Sequence, residues 1–469
     1  MAFIETLKNN PAGCTLLVVG AAKSGFATMR LLHRMGARVM LSEKGPESGL
    51  DPALLDWLRT NGVRFETGGH SRELFQAADG IVVSPGVPLD MPELVAARAA
   101  GCEIVGELGL GIAFLDIPVV AITGTNGKTT VTQLIHDLLV FAGRKVFLGG
   151  NIGTPLTEYL QGEQDAEVAV LEVSSFQLDT AGDFRPAVAV LLNISPDHLD
   201  RYPSYEEYAA SKMSIFRNQQ ATDAAVLNSD DEETLRNLRI FPVPARQFWF
   251  SGTTAPVNGA GPGGQDDEII LFGDFAGESY RLPESLAKSP NRENAMAAVL
   301  ATRLLKCPPE AVQAGLLRFQ RAPHRLAVVA EINGVVYIDD SKATNIGAVK
   351  SALDGMTRPV ILIAGGRDKG GDYRYLADAI RARVKAMVLI GEARDKMAHS
   401  LAGLAPITMA ENLAEAVATA ARSASPGDVV LLSPACASFD MFRSYAERGE
   451  KFQQEVRRLA GTRTGIVGK

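Results

Sequence analysis

The chain is poor in cysteine and in aromatic residues, and it has no surplus of positive charge. Its four cysteines, Cys14, Cys102, Cys307 and Cys436, lie far apart with no CxxC pair. That spacing excludes a zinc ribbon or a disulfide framework and leaves free thiols in a reducing compartment. No apolar run approaches the ~18 residues of a membrane span, and the opening MAFIETLKNNPAGCTLLVVG lacks a basic segment followed by a long apolar one. Membrane insertion and secretion are therefore not expected, and the expected location is the cytoplasm. With 47 Lys and Arg against 54 Asp and Glu, the formal charge is -7. A chain that coats nucleic acid would carry a basic footprint, so a small-molecule substrate fits better.

What is present is enough apolar residue, 46% against 22% charged, to build packed cores in a soluble globular protein. At roughly 150 residues per domain, 469 residues predict about three folding units. The pattern is α/β throughout. TLLVVGAAKSGFATMRLLHRMGARVMLSEKG is a strand, a glycine turn, a helix with Phe26, Met29, Leu32 and Met35 on its apolar side, and a second strand ending at Glu43. This Rossmann-like block closes near residue 106. Its fingerprint is broken, because Ala22 stands where GxGxxG has its second glycine, which disfavours a nicotinamide dinucleotide at this turn. A central P-loop block spans 107–322 and includes a Gly/Pro-rich stretch, WFSGTTAPVNGAGPGGQDDEIILFG, expected to be a long surface loop beside a β-hairpin. A second Rossmann-like block, 323–469, carries HRLAVVAEINGVVYIDDSKATN, RPVILIAGGRDKGG, VKAMVLIGEARDK and GDVVLLSPACASFD, each a strand running into a polar turn. No internal repeat of 20–50 residues appears beyond this βα rhythm.

The chemistry concentrates at strand ends. In VAITGTNGKTTV, Gly124, Gly127, Lys128 and Thr129 match GxxxxGK[ST], with Ile122 in place of the first glycine. Such a loop cradles phosphate with backbone N–H groups, its lysine reaches the outer phosphates and the next hydroxyl meets magnesium. Glu172 ends the apolar run VAVLEV where a magnesium ligand in the same sheet would stand. His198, flanked by Asp197 and Asp200, follows the next strand and is either a second ligand or a hydrogen-bonded loop histidine. Lys212 shares a helical face with Tyr208 on a helix starting at Ser204; by residue type it reads as exposed. Lys342, Thr344, Lys369 and Ser433 sit in three polar turns that would converge on one sheet edge, either as an anion pocket or as separate solvated turns.

Taken together and in order, AITGTNGKTT, GGNIGTP, LEVSSFQL, NISPDHLDRY, SPNRENAMAA, APHRL, DDSKATN and LSPACASFDMF resemble the Mur ligase family over essentially the whole chain, and the last two resemble its D-glutamate-adding branch. The resemblance implies a UDP-binding N-terminal domain, a central ATPase domain and a C-terminal amino-acid domain. The cofactors it implies are ATP and Mg2+, and the partners are UDP-N-acetylmuramoyl-L-alanine and D-glutamate, acted on by a monomer. Lacking the first P-loop glycine is a mark of this family. ATP falls to Gly124, Thr125, Asn126, Gly127, Lys128, Thr129 and Thr130, with Asn291, Asn294, Arg325 and, at the ribose, Asp340. Magnesium falls to Thr129, Glu172, His198 and Lys212, the last carbamylated in this family, which turns a cation into an oxygen ligand. Lys128, His198 and Lys212 take the catalytic roles. Asn151 matches a muramoyl contact; Thr344, Lys369, Ser433 and Phe439 match the D-glutamate site, with Lys342 on the same wall. Ser24 preserves the N-terminal turn, and Ser42, Glu43, Lys44, Ser84 and Gly86 are uridine candidates. Pro290 precedes Asn291 where a histidine is often found.

The implied reaction is ATP-dependent amide formation through an acyl phosphate, in peptidoglycan precursor synthesis. The competing readings are a sibling Mur or folylpolyglutamate-type ligase with another amino acid, a nicotinamide dehydrogenase, and a non-catalytic ATP-dependent switch.

Overall fold

The structure, a computed structural model, describes residues 2–199, 201–319 and 323–464, with side chains described to residue 460. Asp200 and the expected boundary at Ala322 lie outside the described residues. The fold is α/β, built on three sheets. In the first, Thr15–Val19, Arg38–Glu43, Arg64–Thr67, Gly80–Val83 and Glu103–Gly106 are all parallel, in the spatial order third, second, first, fourth, fifth. The opening strand is central. Its Leu16, Leu17, Val18 and Val19 are at most 1% exposed, which is why it reads as an unbroken apolar run and not as an alternating one. Each such side chain contributes about 1.5–3 kcal/mol by leaving water. The helix Lys23–Met35 puts Met29 and Leu32 into this core and stops at Gly36, whose φ of 96° only glycine adopts readily.

The second sheet has nine strands. Val119–Thr123 lies inside it, between Val168–Glu172 and Val188–Leu191, and parallel pairing continues outward to Val146–Gly150 on one side and through Ala224–Asn228 and Arg246–Phe250 to Gly259–Pro262 on the other. Glu268–Phe272 and Ser279–Arg281 then add antiparallel strands. The Gly/Pro-rich stretch is thus only partly loop: Gly259–Pro262 pairs with both Arg246–Phe250 and Glu268–Phe272. Gly259 sits at φ 148°, and a Cβ there would run into the Trp249 backbone, so a residue that looks like a loop marker is needed for close strand approach.

The third sheet has the spatial order Ala327–Ile332, Val335–Asp339, Val429–Leu432, Val360–Gly365, Val384–Ile390, Ile407–Met409, parallel except for the first pair. Cores form on both of its faces, and the C-terminal helix Tyr445–Thr464 contributes Phe452 and Val456 to one of them.

Contacts gather the chain into two compact units: Met1–Asn193, Ala209–Pro283 and Glu293–Phe319, holding the first two sheets, and Ile194–Tyr208, Glu284–Arg292 and Gln320–Lys469, holding the third. Within the first unit the Gly106 N–H donates to Thr180 O at 2.8 Å, the Gln161 amide donates to Ala27 O at 3.0 Å, and Lys23 Nζ donates to Gly153 O at 3.1 Å. All four cysteines are free thiols. Among the described residues no helix is long and apolar enough to cross a membrane.

Candidate active site

The strand Val119–Thr123 delivers the phosphate loop to the carboxyl edge of the second sheet, where ligands of open α/β sheets bind. Gly124 and Gly127 hold φ of 147° and 86°. A Cβ on Gly127 would stand 2.6 Å from Asn294 Oδ1 and 3.1 Å from Leu192 Cδ1, so both glycines are required by backbone shape, and Asn294 lies against the loop. Gly127 starts the helix Lys128–Phe141, whose first-turn N–H groups have no intrahelical acceptor and which half-buries Thr129 and Thr130 in that turn.

Two lysines converge on this loop. Lys128 Nζ donates to Gly124 O at 2.8 Å and to Thr125 O at 2.9 Å. Lys212 Nζ donates to the same Gly124 O at 2.9 Å. Lys212 is 2% exposed, which overturns the expectation of a surface lysine. The reason lies on its helix, Tyr205–Met213: the face it shares with Tyr208 is the buried face. Ser204, read as the helix start, is its cap, its hydroxyl accepting from the Glu207 N–H at 3.2 Å.

Glu172 pairs in register with Ile122, two residues before the loop. One of its oxygens, Oε1, accepts from Asn151 Nδ2 at 2.8 Å; the other, Oε2, is buried and has no hydrogen-bond partner. A buried carboxylate oxygen left without a donor is costly, and a hard cation is one group that satisfies it. Among the described residues no three His, Cys, Asp or Glu side chains cluster as a metal cage. The donor set therefore fits a cation completed by phosphate oxygens and water, as magnesium usually is.

Asn193, absent from the expected site, is bound to the loop three times. Its carbonyl accepts from the Thr125 N–H at 2.9 Å, its Oδ1 accepts from the Asn126 N–H at 2.9 Å, and its Nδ2 donates to Asn126 O at 3.1 Å. Nothing in one dimension marks it among the other polar residues of NISPDHLDRY.

At the N-terminal turn, Gly20 and Gly25 are packed so closely that a Cβ on Gly25 would strike Gly20 O. Ser84 Oγ donates to Gly20 O at 3.2 Å, and the half-buried Ser24 accepts through its carbonyl from Thr28. Glu43 braces the turn from the second strand: its Oε2 accepts from the Ala21 N–H and its Oε1 from the Gly45 N–H, both at 2.7 Å. Lys44 and Gly86 are exposed. Ser42 is fully buried, its hydroxyl bound to Glu66 and His70, so it serves the sheet edge and not an open ligand surface.

In the second unit, His198 has φ 56°, and its N–H donates to Asp197 Oδ1 at 3.0 Å. The other Asp197 oxygen accepts from Asn345 Nδ2 at 3.0 Å, and Lys369 Nζ stands 3.7 Å from Oδ1. Asp197, His198, Asn345, Lys369, Asp368 and Tyr373 share one cleft. The polar turns do approach one another here, but their cations take separate directions: Lys342 Nζ lies 3.9 Å above the Tyr445 ring. Ser433, fully buried, donates to Asp340 Oδ2 at 2.8 Å. Burial pushes the Asp340 carboxyl up to about 7, although Ser433, the Leu326 N–H and the charge of Arg325 pull it down. Thr344, Arg325 and Asn291 are half-buried. Phe439 is 64% exposed.

Behind these turns lies Arg448, 1% exposed. It donates to Ser341 O, Cys436 O and Ala437 O at 2.9, 3.1 and 3.4 Å. Burial lowers its guanidinium to about 10. Beside it Asp339, fully buried, accepts from Gln453 Nε2 at 2.9 Å and pairs with His324 Nδ1 at 2.7 Å.

Against known families, residues 14–106 match the Mur ligase MurD-like N-terminal domain, residues 122–302 the Mur ligase middle domain and residues 324–436 the Mur ligase glutamate ligase domain. A UDP-N-acetylmuramoylalanine–D-glutamate ligase of Geobacter metallireducens is 44% identical over 96% of this chain and 98% of its own. The chain is a Mur ligase. A protein of the same description from Desulfotalea psychrophila is 44% identical to this Mur ligase, over 97% of this chain and 98% of its own. Solved structures agree with the fold at lower identity. A pseudomurein peptide ligase type C from Methanothermus fervidus superposes on the Mur ligase with a TM-score of 0.61 at 20% identity, covering 95% of this chain and all of its own. The MurF ligase of Thermotoga maritima in complex with ADP gives 0.60 at 18%, covering 96% and 97%.

Proposed function

We propose that this Mur ligase joins D-glutamate to UDP-N-acetylmuramoyl-L-alanine in peptidoglycan precursor synthesis, using ATP and Mg2+ and releasing ADP and phosphate. The observation that carries the chemistry is the phosphate loop with Lys128 and Lys212 on one carbonyl and the partnerless Glu172 oxygen beside it in the same sheet. The substrates are inferred from relatives at 44% identity over nearly the full chain. In this reading residues 1–106 bind the UDP moiety, 107–322 bind ATP and 323–469 bind D-glutamate. The enzyme works as a cytoplasmic monomer.

The chain's residues perform three tasks. Lys128 and the first-turn amides of its helix hold the triphosphate, so that the L-alanine carboxylate reaches the γ-phosphorus against less negative charge. Glu172, Thr129, His198 and Lys212 as its carbamate would hold magnesium, which supplies neutralisation of the phosphate oxygens as charge shifts. The Lys369 ammonium would hold a D-glutamate carboxylate, with Thr344, Ser433, Lys342 and Phe439 contributed by the same three turns, so that the amine faces the activated carbonyl. The carboxylate oxygen attacks phosphorus and ADP leaves. The amine then attacks the acyl carbon, loses a proton and expels phosphate, and an amide remains. Asn291, Asn294, Arg325 and Asp340 attend the nucleoside, Asn151 the muramoyl group, and Ser24, Glu43, Lys44, Ser84 and Gly86 the uridine diphosphate.

The test is phosphate release with ATP, UDP-N-acetylmuramoyl-L-alanine and a panel of amino acids. Release that requires all three substrates and is largest with D-glutamate is expected. Equal or greater release with L-alanine or a diamino acid would transfer the chain to a sibling activity.

A further inference from the structure

We propose that Asn193 is a positioning residue whose carboxamide sets the shape of the phosphate loop and thereby its affinity for nucleotide; this rests on the reading that the loop binds ATP. A carboxamide is the one short side chain that offers a donor and an acceptor side by side. Asn193 uses both on a single residue: Oδ1 takes the Asn126 N–H and Nδ2 reaches the Asn126 carbonyl. Those two partners also fix which atom is which, since an N–H needs the oxygen and a carbonyl needs the nitrogen. The side chain thus copies the pairing of a neighbouring strand at a point where the strand Val188–Leu191 has ended.

The backbone at this point extends the same pattern. Leu192 N–H donates to Thr123 O at 3.1 Å, and Asn193 O accepts from Thr125 at 2.9 Å. Leu192 and Asn193 are also what a Cβ on Gly124 would meet, at 3.0 to 3.3 Å. Residues 123 to 126 are therefore held along one side by Leu192 and Asn193. Lys128 and Lys212 hold Gly124 O from their own positions. With the Thr125 and Asn126 amides turned onto Asn193, the amides left to an anion are those of Gly127 and of the first turn of the helix beginning at Lys128, which have no intrahelical acceptor. Asn193 in this account never touches the nucleotide. It selects which amides do.

Two substitutions and one measurement on the unaltered ligase test this. Asn193→Ala removes both bonds, and the expected result is a rise of about tenfold in KM for ATP and in the Kd for ADP, with KM for D-glutamate unchanged. Asn193→Asp keeps the acceptor, places a second acceptor against the Asn126 carbonyl and adds a negative charge near the phosphates; it should be worse than Ala, increasingly so at low salt. A purely structural role would lower the melting temperature while leaving KM for ATP where it was, and that result would overturn the proposal. Should either variant fail to fold, amide hydrogen exchange in the unaltered, nucleotide-free protein decides: Asn126 is expected to be protected, and exchange at the rate of an open loop would overturn the proposal. Failure of the unaltered protein to bind ADP would instead remove the nucleotide assignment, and Asn126 protection would still report on the loop.

Discussion

The phosphate loop and the three polar turns of the third sheet solve opposite problems. The loop is shaped by backbone: two glycines at positive φ, two lysines on one carbonyl and an asparagine imitating a strand. What it leaves over includes a buried carboxylate oxygen, on Glu172, and the buried Thr123 hydroxyl. The turns are shaped by side chains buried against each other: Arg448 on three carbonyls, Asp339 with His324 and Gln453, Asp340 with Ser433. They too leave buried atoms over, Ser341 Oγ, Asp440 Oδ1 and Arg448 Nε, beside an exposed Phe439. A site for a multiply charged phosphate is built ahead of its ligand by fixed dipoles. In the turns the charged groups are paired with side chains, such as Lys369 3.7 Å from Asp197, where in the loop the lysines are held by backbone carbonyls.

If that contrast holds, removing Lys128 should have the largest effect. Lys128→Ala is expected to lower kcat about 10³-fold, because it removes the side-chain cation that serves the phosphate beside magnesium at the moment charge moves. Phosphate release at saturating substrates measures it, and a loss under tenfold would break the comparison. Glu172→Gln comes next. It keeps the shape and one acceptor but removes the charge, so the magnesium concentration giving half-maximal rate should rise by about 10- to 100-fold, read from a magnesium titration. On the other side, Lys369→Ala should act mainly on binding. KM for D-glutamate should rise about 10- to 100-fold with KM for ATP unchanged, and a change confined to kcat would mean that Lys369 does not hold the amino acid.

The phosphate loop and the turns also differ in how far the sequence revealed them. Strand ends and glycine turns were legible because each is written locally: Gly127 is needed at φ 86° and Lys128 follows it. Lys212 reads as exposed because helical spacing reports which residues share a face and not which face is buried; the structure buries that face, with Tyr208 1% exposed. Arg448 and Asn193 went unread for a different reason. Arg448 reaches Ser341 107 residues away, as well as two carbonyls 11 and 12 residues away, and Asn193 reaches Asn126 67 residues away; such polar contacts leave no period in the chain. The Gly/Pro-rich stretch holds both the expected loop and the expected hairpin; where the loop ends is not legible, because glycine serves close strand approach at Gly259 as well as loops.

The smallest expected effect sharpens the electrostatic half of the contrast. Asp340 is pushed up to about 7 by burial, well above an ordinary aspartate near 4. A carboxyl whose pKa is raised on folding favours the folded state fully below its unfolded value, and that contribution is lost as pH climbs through the folded value. Asp340→Asn, which cannot ionise, should therefore gain in melting temperature relative to the unaltered protein as pH rises from about 4 to about 7. A difference independent of pH over that window would contradict the raised value.

The central claim is that the nucleotide phosphate activates a carboxylate. The direct measurement uses UDP-N-acetylmuramoyl-L-alanine carrying 18O in its L-alanine carboxylate, with ATP and D-glutamate, followed by mass analysis of the phosphate released. One 18O atom transferred to each phosphate is the predicted result, since the oxygen that attacks phosphorus departs with it. Phosphate free of label, formed together with amide product, would contradict the account.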